Sequence, residues 1–148
     1  MRRLWTSLTL LLALSGLLPA ALAQGGLFGD DELLPADEAF AISARVAEGD
    51  RVLVTWKVAD GYYLYRSRIQ FRSDTPGIQL GEPRLPPGKE KHDEFFGDVE
   101  IYQKTVTIEI PFTRGPDAGS SLKLTATSQG CAERGVCYPP HRQTITLD

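Results

Sequence analysis

Apolar residues recur at every second position through most of this 148-residue chain, and that period limits its fold more than any other feature. Val52, Val54, Trp56 and Val58 alternate with Leu53, Thr55 and Lys57 before the run stops at Asp60-Gly61. Val106, Ile108, Ile110 and Phe112 repeat the pattern over residues 105–112. Successive side chains of an extended chain point to opposite faces, so each run reads as a strand with one face buried. Phe40, Ile42, Ala44 and Val46 form an earlier run, closed by the Glu48-Gly49-Asp50 turn. Leu122, Leu124 and Ala126, then Ile145 and Leu147, form later ones. Another strand is expected over residues 64–71, with Ile69 and Phe71 on one face. A short edge strand is expected at 78–80, hemmed in by Pro76, Pro83, Pro86 and Pro87. Residues 82–100 read as irregular, and no segment holds a 3.6-residue period over three turns. The expected fold is all-β, an immunoglobulin-like antiparallel β-sandwich.

The first 23 residues read as a cleavable export signal. Arg2 and Arg3 give a positive start, residues 4–18 an apolar core, and Ala21-Leu22-Ala23 a small-residue cleavage site. A flexible lead-in over 24–36, with Gly25, Gly26, Gly29 and Pro35, would then precede one domain over 37–148. A bacterial periplasm is the expected location. Of 16 Lys+Arg residues, two leave with the signal, so 14 basic residues face 19 acidic ones in the mature chain. That negative balance is the opposite of the basic patch a general nucleic-acid binder needs.

The only two cysteines lie in Gln129-Gly130-Cys131-Ala132-Glu133-Arg134-Gly135-Val136-Cys137-Tyr138-Pro139-Pro140. An oxidising compartment favours a Cys131–Cys137 disulfide, placed by the strand pattern at or near the end of a hairpin. Two readings compete. In one, the bridge is a structural clamp in a non-enzymatic immunoglobulin-like binding module. In the other, it is a working redox couple. Closing a ring of about seven residues contributes roughly 2–2.5 kcal/mol of loop entropy, less than a bridge between distant segments would. An exchange site needs a sulfur that an attacking thiolate can reach, and a hairpin end supplies reach. Glu133 and Arg134 inside the ring act oppositely on a thiolate, so neither takes a role. A metal site from Cys131, Cys137, His141 and His92 matches neither a zinc nor a thioether-rich copper pattern, and no cofactor is expected.

Two aromatic segments also have two readings. Tyr62-Tyr63-Leu64-Tyr65 is an ordinary strand segment, with alternate rings in the core and on the surface, or it flanks a site. Asp93-Glu94-Phe95-Phe96-Gly97 sets two bulky rings in a polar loop, where they either tuck into the core or cover something that needs shielding. Tyr138-Pro139-Pro140 offers an aromatic, apolar docking surface or protects a sheet edge.

Taken in order, these segments resemble the N-terminal periplasmic domain of the transmembrane disulfide reductase DsbD. The resemblance runs from Leu34-Pro35-Ala36-Asp37-Glu38-Ala39-Phe40, through Asp60-Gly61-Tyr62-Tyr63-Leu64-Tyr65-Arg66, Asp93-Glu94-Phe95-Phe96-Gly97 and Glu100-Ile101-Tyr102, to the cysteine segment. It implies an immunoglobulin-like sandwich with the redox pair on a hairpin and a protein-disulfide reductase type of activity without cofactor or metal. The implied donor is the thioredoxin-like C-terminal domain of DsbD. The implied acceptors are thioredoxin-fold proteins, namely a DsbC-like isomerase and a cytochrome c maturation thioredoxin. Cys137 would form the mixed disulfide and Cys131 would resolve it. Phe95 would be the tip of a cap loop, Asp93 to Gly97, that closes over the disulfide and swings away for a partner. Tyr63, Tyr65 and Tyr138 would flank the site, and Asp93 and Glu94 would disfavour the thiolate. The family protein continues into a membrane domain attached to the inner membrane and a second thioredoxin-like domain. The electron donor is therefore expected to be another domain or another protein.

Overall fold

The period-two runs become strands in the computed structural model, which describes residues 32–148. The expected signal over 1–23 and most of the 24–36 lead-in lie outside the described residues. A one-turn helix, α1 (Ala36–Ala39), opens the described chain. It leads into β1 (Phe40–Ala47), β2 (Arg51–Val58), β3 (Tyr62–Tyr65), β4 (Gln70–Ser73), β5 (Ile78–Leu80) and β6 (Lys89–Asp93). There follow β7 (Gly97–Tyr102), β8 (Thr105–Arg114), β9 (Leu122–Ser128), β10 (Gly130–Ala132), β11 (Val136–Cys137) and β12 (His141–Leu147). They form three antiparallel sheets, ordered β1-β2-β8-β5, β11-β10-β3-β7-β6 and β12-β9-β4. The architecture is an immunoglobulin-like β-sandwich.

Register explains the core. Val52 pairs with Ile110, Val54 with Ile108 and Trp56 with Val106, and all six side chains are buried. Across the sandwich they meet Leu122, Leu124 and Ala126 of β9 and Leu147 of β12 in one apolar cluster. Each such aliphatic side chain contributes about 1.5–3 kcal/mol by leaving water. The short strand expected at 78–80 is β5, and it does lie at a sheet edge.

The structure corrects three expectations. Residues 64–71 are not one strand: β3 ends at Tyr65, a single 3-10 turn (Arg66–Arg68) follows, and β4 enters a different sheet. β9 and β10 make the matching switch through Gln129. The next residue must be glycine, because a Cβ on Gly130 would lie 2.3 Å from the Tyr63 carbonyl and 2.6 Å from the Phe40 ring. Secondly, residues 82–100 are not irregular throughout, since β6 and β7 pair as a hairpin. β6 reads Lys-Glu-Lys-His-Asp because it is an edge strand with little apolar face to declare. Thirdly, Tyr62 to Tyr65 do not alternate between core and surface; all four are buried. Tyr62 and Leu64 face the main core, while Tyr63 and Tyr65 face a second, smaller cluster with Ile101 and Cys131.

The lead-in is tied to the domain from Leu33 onward. Leu33 and Leu34 pack on the main core. The Leu34 N–H donates to the Tyr62 hydroxyl at 2.9 Å, and its carbonyl accepts from the Tyr138 hydroxyl at 2.5 Å.

Candidate redox site

Cys131 and Cys137 face each other across the β10–β11 hairpin. Its turn explains the register. The Gly135 N–H donates to the Ala132 carbonyl at 3.0 Å, with Glu133 and Arg134 between them, and Gly135 follows at φ 93°. A three-residue hairpin loop needs a left-handed residue at that point, and glycine adopts it without a Cβ clash. Directly opposed positions bring two Cβ atoms within bridging distance. The disulfide is formed, with the two Cα atoms 4.0 Å apart.

The two sulfurs differ in access. Cys131 lies on an inner strand, between Cys137 and Tyr63, and is 0% exposed. Cys137 lies on the edge strand and is only half-buried. Val136 beside it is exposed, as are Pro139 and Pro140.

Residues two apart share a strand face, so Tyr63 and Tyr65 lie together, ring centroids 5.4 Å apart in an edge contact. The Tyr65 hydroxyl stands 3.0 Å from the Cys131 Sγ and 3.6 Å from the Cys137 Sγ. It donates to Asp93 Oδ2 at 2.9 Å, and the Tyr63 hydroxyl donates to the same oxygen at 2.6 Å. Asp93 is 3% exposed, so its carboxylate requires partners. Its other oxygen, Oδ1, accepts the N–H groups of Phe95 at 2.8 Å and Phe96 at 3.1 Å. Burial pushes the Asp93 carboxyl up, but the hydrogen bonds from Tyr63, the Phe95 N–H, Tyr65 and the Phe96 N–H outweigh it and hold it below the ordinary value. Burial, followed by the Asp93 contact, raises the Tyr63 hydroxyl far above its usual range. Burial likewise pushes Tyr65 up to about 12. Both phenols therefore keep their protons at neutral pH.

Asp93 also shapes the loop above. It pairs with Gly97, whose φ of 74° closes the β6–β7 hairpin around Glu94, Phe95 and Phe96. Asp93 receives the two backbone N–H groups as an Asx-type turn does. The Phe96 ring meets Tyr65 edge-on at 4.9 Å, while the Arg68 guanidinium sits 4.5 Å over its face. The Lys91 ammonium lies 5.2 Å from the Tyr63 ring. Glu94 reaches the cysteine hairpin, with Oε1 3.3 Å from where a Gly135 Cβ would stand.

Most of the residues singled out in the sequence thus converge: Cys131, Cys137, Tyr63, Tyr65, Asp93, Glu94 and Phe96. Two occupy unexpected positions. Phe96, not Phe95, makes the ring contact with Tyr65, and Phe95 projects 51% exposed. Tyr138 turns away from the sulfurs to pack edge-on against Phe40 at 5.5 Å and beside Tyr62 at 6.2 Å. It buttresses the hairpin exit. Arg68 and Lys91 carried no signal in the sequence, because their aromatic partners are distant in the chain. Among the described residues, no three His, Cys, Asp or Glu side chains converge as metal ligands.

The profile of the family described as "Thiol:disulfide interchange protein DsbD, N-terminal" matches residues 30–148. The "Thiol:disulfide interchange protein DsbD 1" of Pseudomonas aeruginosa is 42% identical over an alignment covering all of this chain and 26% of that protein. The chain thus spans about a quarter of that relative's length. The crystal structure of the Neisseria meningitidis DsbD N-terminal domain in the reduced form superposes with a TM-score of 0.70 at 40% identity, covering 78% of this chain and 90% of that one. The same domain in complex with the PilB N-terminal domain gives a TM-score of 0.61 at 39% identity, covering 78% and 88%. With its fold, disulfide hairpin and sequence all in agreement, this chain belongs to the DsbD N-terminal domain family.

Proposed function

We propose that this is a periplasmic thiol–disulfide exchange domain, with Cys137 as the sulfur that partners reach and Cys131 as the resolving sulfur. The observation that carries the proposal is the difference in access: Cys137 is half-buried on an edge strand, whereas Cys131 is fully buried beneath Tyr65. The complex of the related Neisseria domain with a PilB domain supports docking of a second protein on such a scaffold.

A donor thiolate attacks the Cys137 sulfur, and the Cys131–Cys137 bond breaks with its electron pair going to the Cys131 sulfur. The Tyr65 hydroxyl, 3.0 Å away, gives its one hydrogen to Asp93 Oδ2, so its oxygen accepts from the Cys131 thiol once that sulfur has taken a proton from solvent. The donor's second thiolate then attacks the donor sulfur bound to Cys137. The donor leaves as a disulfide, and this domain carries two thiols. Delivery runs in reverse. The Cys137 thiolate attacks an acceptor disulfide, Cys131 displaces the acceptor from Cys137, and the acceptor leaves with two thiols. Donor and acceptors are thioredoxin-fold proteins: a DsbD-type C-terminal domain on one side, an isomerase or cytochrome c maturation thioredoxin on the other. The cap loop, Asp93 to Gly97, limits access of small oxidants to the reduced pair.

Each cysteine is replaced in turn and the reduced protein is mixed with an oxidised thioredoxin-fold acceptor. Cys131→Ala is expected to accumulate a mixed disulfide on Cys137, while Cys137→Ala accumulates little or none. Equal trapping on both sulfurs would overturn the assignment.

A further inference from the structure

Arg66-Ser67-Arg68 forms the single 3-10 turn that carries the chain from β3 to β4. Its two arginines are used differently. Arg66 is held by the Pro86 and Leu85 carbonyls and by Glu100. Arg68 is exposed and makes no ion pair among the described residues, yet its guanidinium stacks 4.5 Å over the Phe96 ring. The other side of that contact is Tyr65, whose ring meets Phe96 at 4.9 Å and 85°. Tyr65 in turn reaches both sulfurs through its hydroxyl. A cation over a ring face and an aromatic edge contact are each favourable at these distances. Phe96 is therefore held between Arg68 and Tyr65, while Phe95, one residue earlier, is held by no ring or cation contact among the described residues and is the more exposed of the two.

We infer that Arg68 is a positioning residue for the cap loop. By clamping Phe96 onto Tyr65, it sets how often the loop opens and exposes the redox pair. Phe96 is the latched ring, and Phe95 is the more exposed ring at the tip. This inference rests on the shielding role given to the cap loop above.

The test is oxidation of the reduced domain by hydroxyethyl disulfide, an uncharged small disulfide. In each turnover the two thiols lose two electrons and two protons and form the Cys131–Cys137 bond, and the reagent becomes two thiols. An uncharged reagent keeps encounter independent of the Arg68 charge. Losing a nearby positive charge also disfavours the thiolate and would slow oxidation, so acceleration isolates the latch. Arg68→Met is expected to raise the oxidation rate roughly 2–5-fold, the size of an exposed cation–π contact, with Arg68→Lys falling between it and wild type. Amide hydrogen exchange at Phe95 and Phe96 should rise by a similar factor and more than at β2 and β8, with only the few degrees of melting temperature that a contact of this size contributes. A merely structural Arg68 would lower the melting temperature without a selective rise in loop exchange or in oxidation rate. Wild-type rates for Arg68→Met, with faster oxidation in Phe96→Leu or Phe95→Ala, would overturn the latch and leave the shielding role intact. Wild-type oxidation rates in all the variants would overturn both.

Discussion

The two ends of this sandwich are built on opposite principles. The main core, around Val54, Trp56, Ile108, Ile110 and Leu124, is almost wholly apolar and sits between complete strand ladders. The redox end packs Tyr63, Tyr65, Ile101 and Cys131 around a buried carboxylate, Asp93, beneath exposed aromatic rings. The first region gains stability from area removed from water, and the one side-chain polar atom among its five residues named above, the Trp56 indole nitrogen, makes no hydrogen bond among the described residues. The second relies on directional hydrogen bonds, and the same atoms link the sulfurs to the loop above them. An apolar core in that position would stabilise the fold without communicating anything to the cap.

The contrast predicts separable effects, and the largest is chemical. Cys137→Ser should abolish disulfide exchange while costing only about 2–2.5 kcal/mol of stability, the entropy of a seven-residue ring. Denaturant unfolding and an exchange assay on the same sample would measure both. Ile108→Ala should do the reverse. A fully buried Ile truncated to Ala loses about 2–5 kcal/mol, with the exchange rate of the folded fraction unchanged. A large change in exchange rate in Ile108→Ala would break the separation. Asp93→Asn should cost less than the core truncation, about 1–3 kcal/mol, because hydrogen bonds to an ionised group are weakened. Unlike the core variant, it should raise amide exchange at Phe95 and Phe96 more than at β2 and β8.

The smallest effect is that of acid. Asp93 has a folded-state value below the ordinary 3.8, so its contribution is present above that value and is lost as pH falls through the lower folded value. Amide protection of Phe95 and Phe96 should therefore be flat from neutral pH down to about pH 4 and fade below it. Loss of protection near neutral pH would mean that another group holds the loop.

Strands with one buried face were legible before the structure, because Val52, Val54, Trp56 and Val58, and Val106 through Phe112, declare their period in every residue. The sheet switches were not. Tyr65 and Phe71 are both aromatic and close in sequence, yet the Arg66–Arg68 turn between them puts them in different sheets. β6 was hidden because an edge strand needs little apolar alternation. The site was partly legible through its ordered motifs, as the cysteines, Tyr63, Tyr65 and Asp93 come together. Which phenylalanine faces Tyr65 was not, since Phe95 and Phe96 differ only in how Gly97 and Asp93 turn the loop. Arg68 was invisible for a related reason: the ring it covers lies 28 positions further along the chain, and nothing local marks the pair.

Whether the Cys131–Cys137 bond works as an exchange couple or as a clamp is decided by its reduction potential, measured by equilibration against thiol buffers. An exchange couple is expected at about −200 to −270 mV, where exchanging proteins lie. A value below about −300 mV, characteristic of structural bridges, would contradict it and leave an immunoglobulin-like binding module with a permanent disulfide.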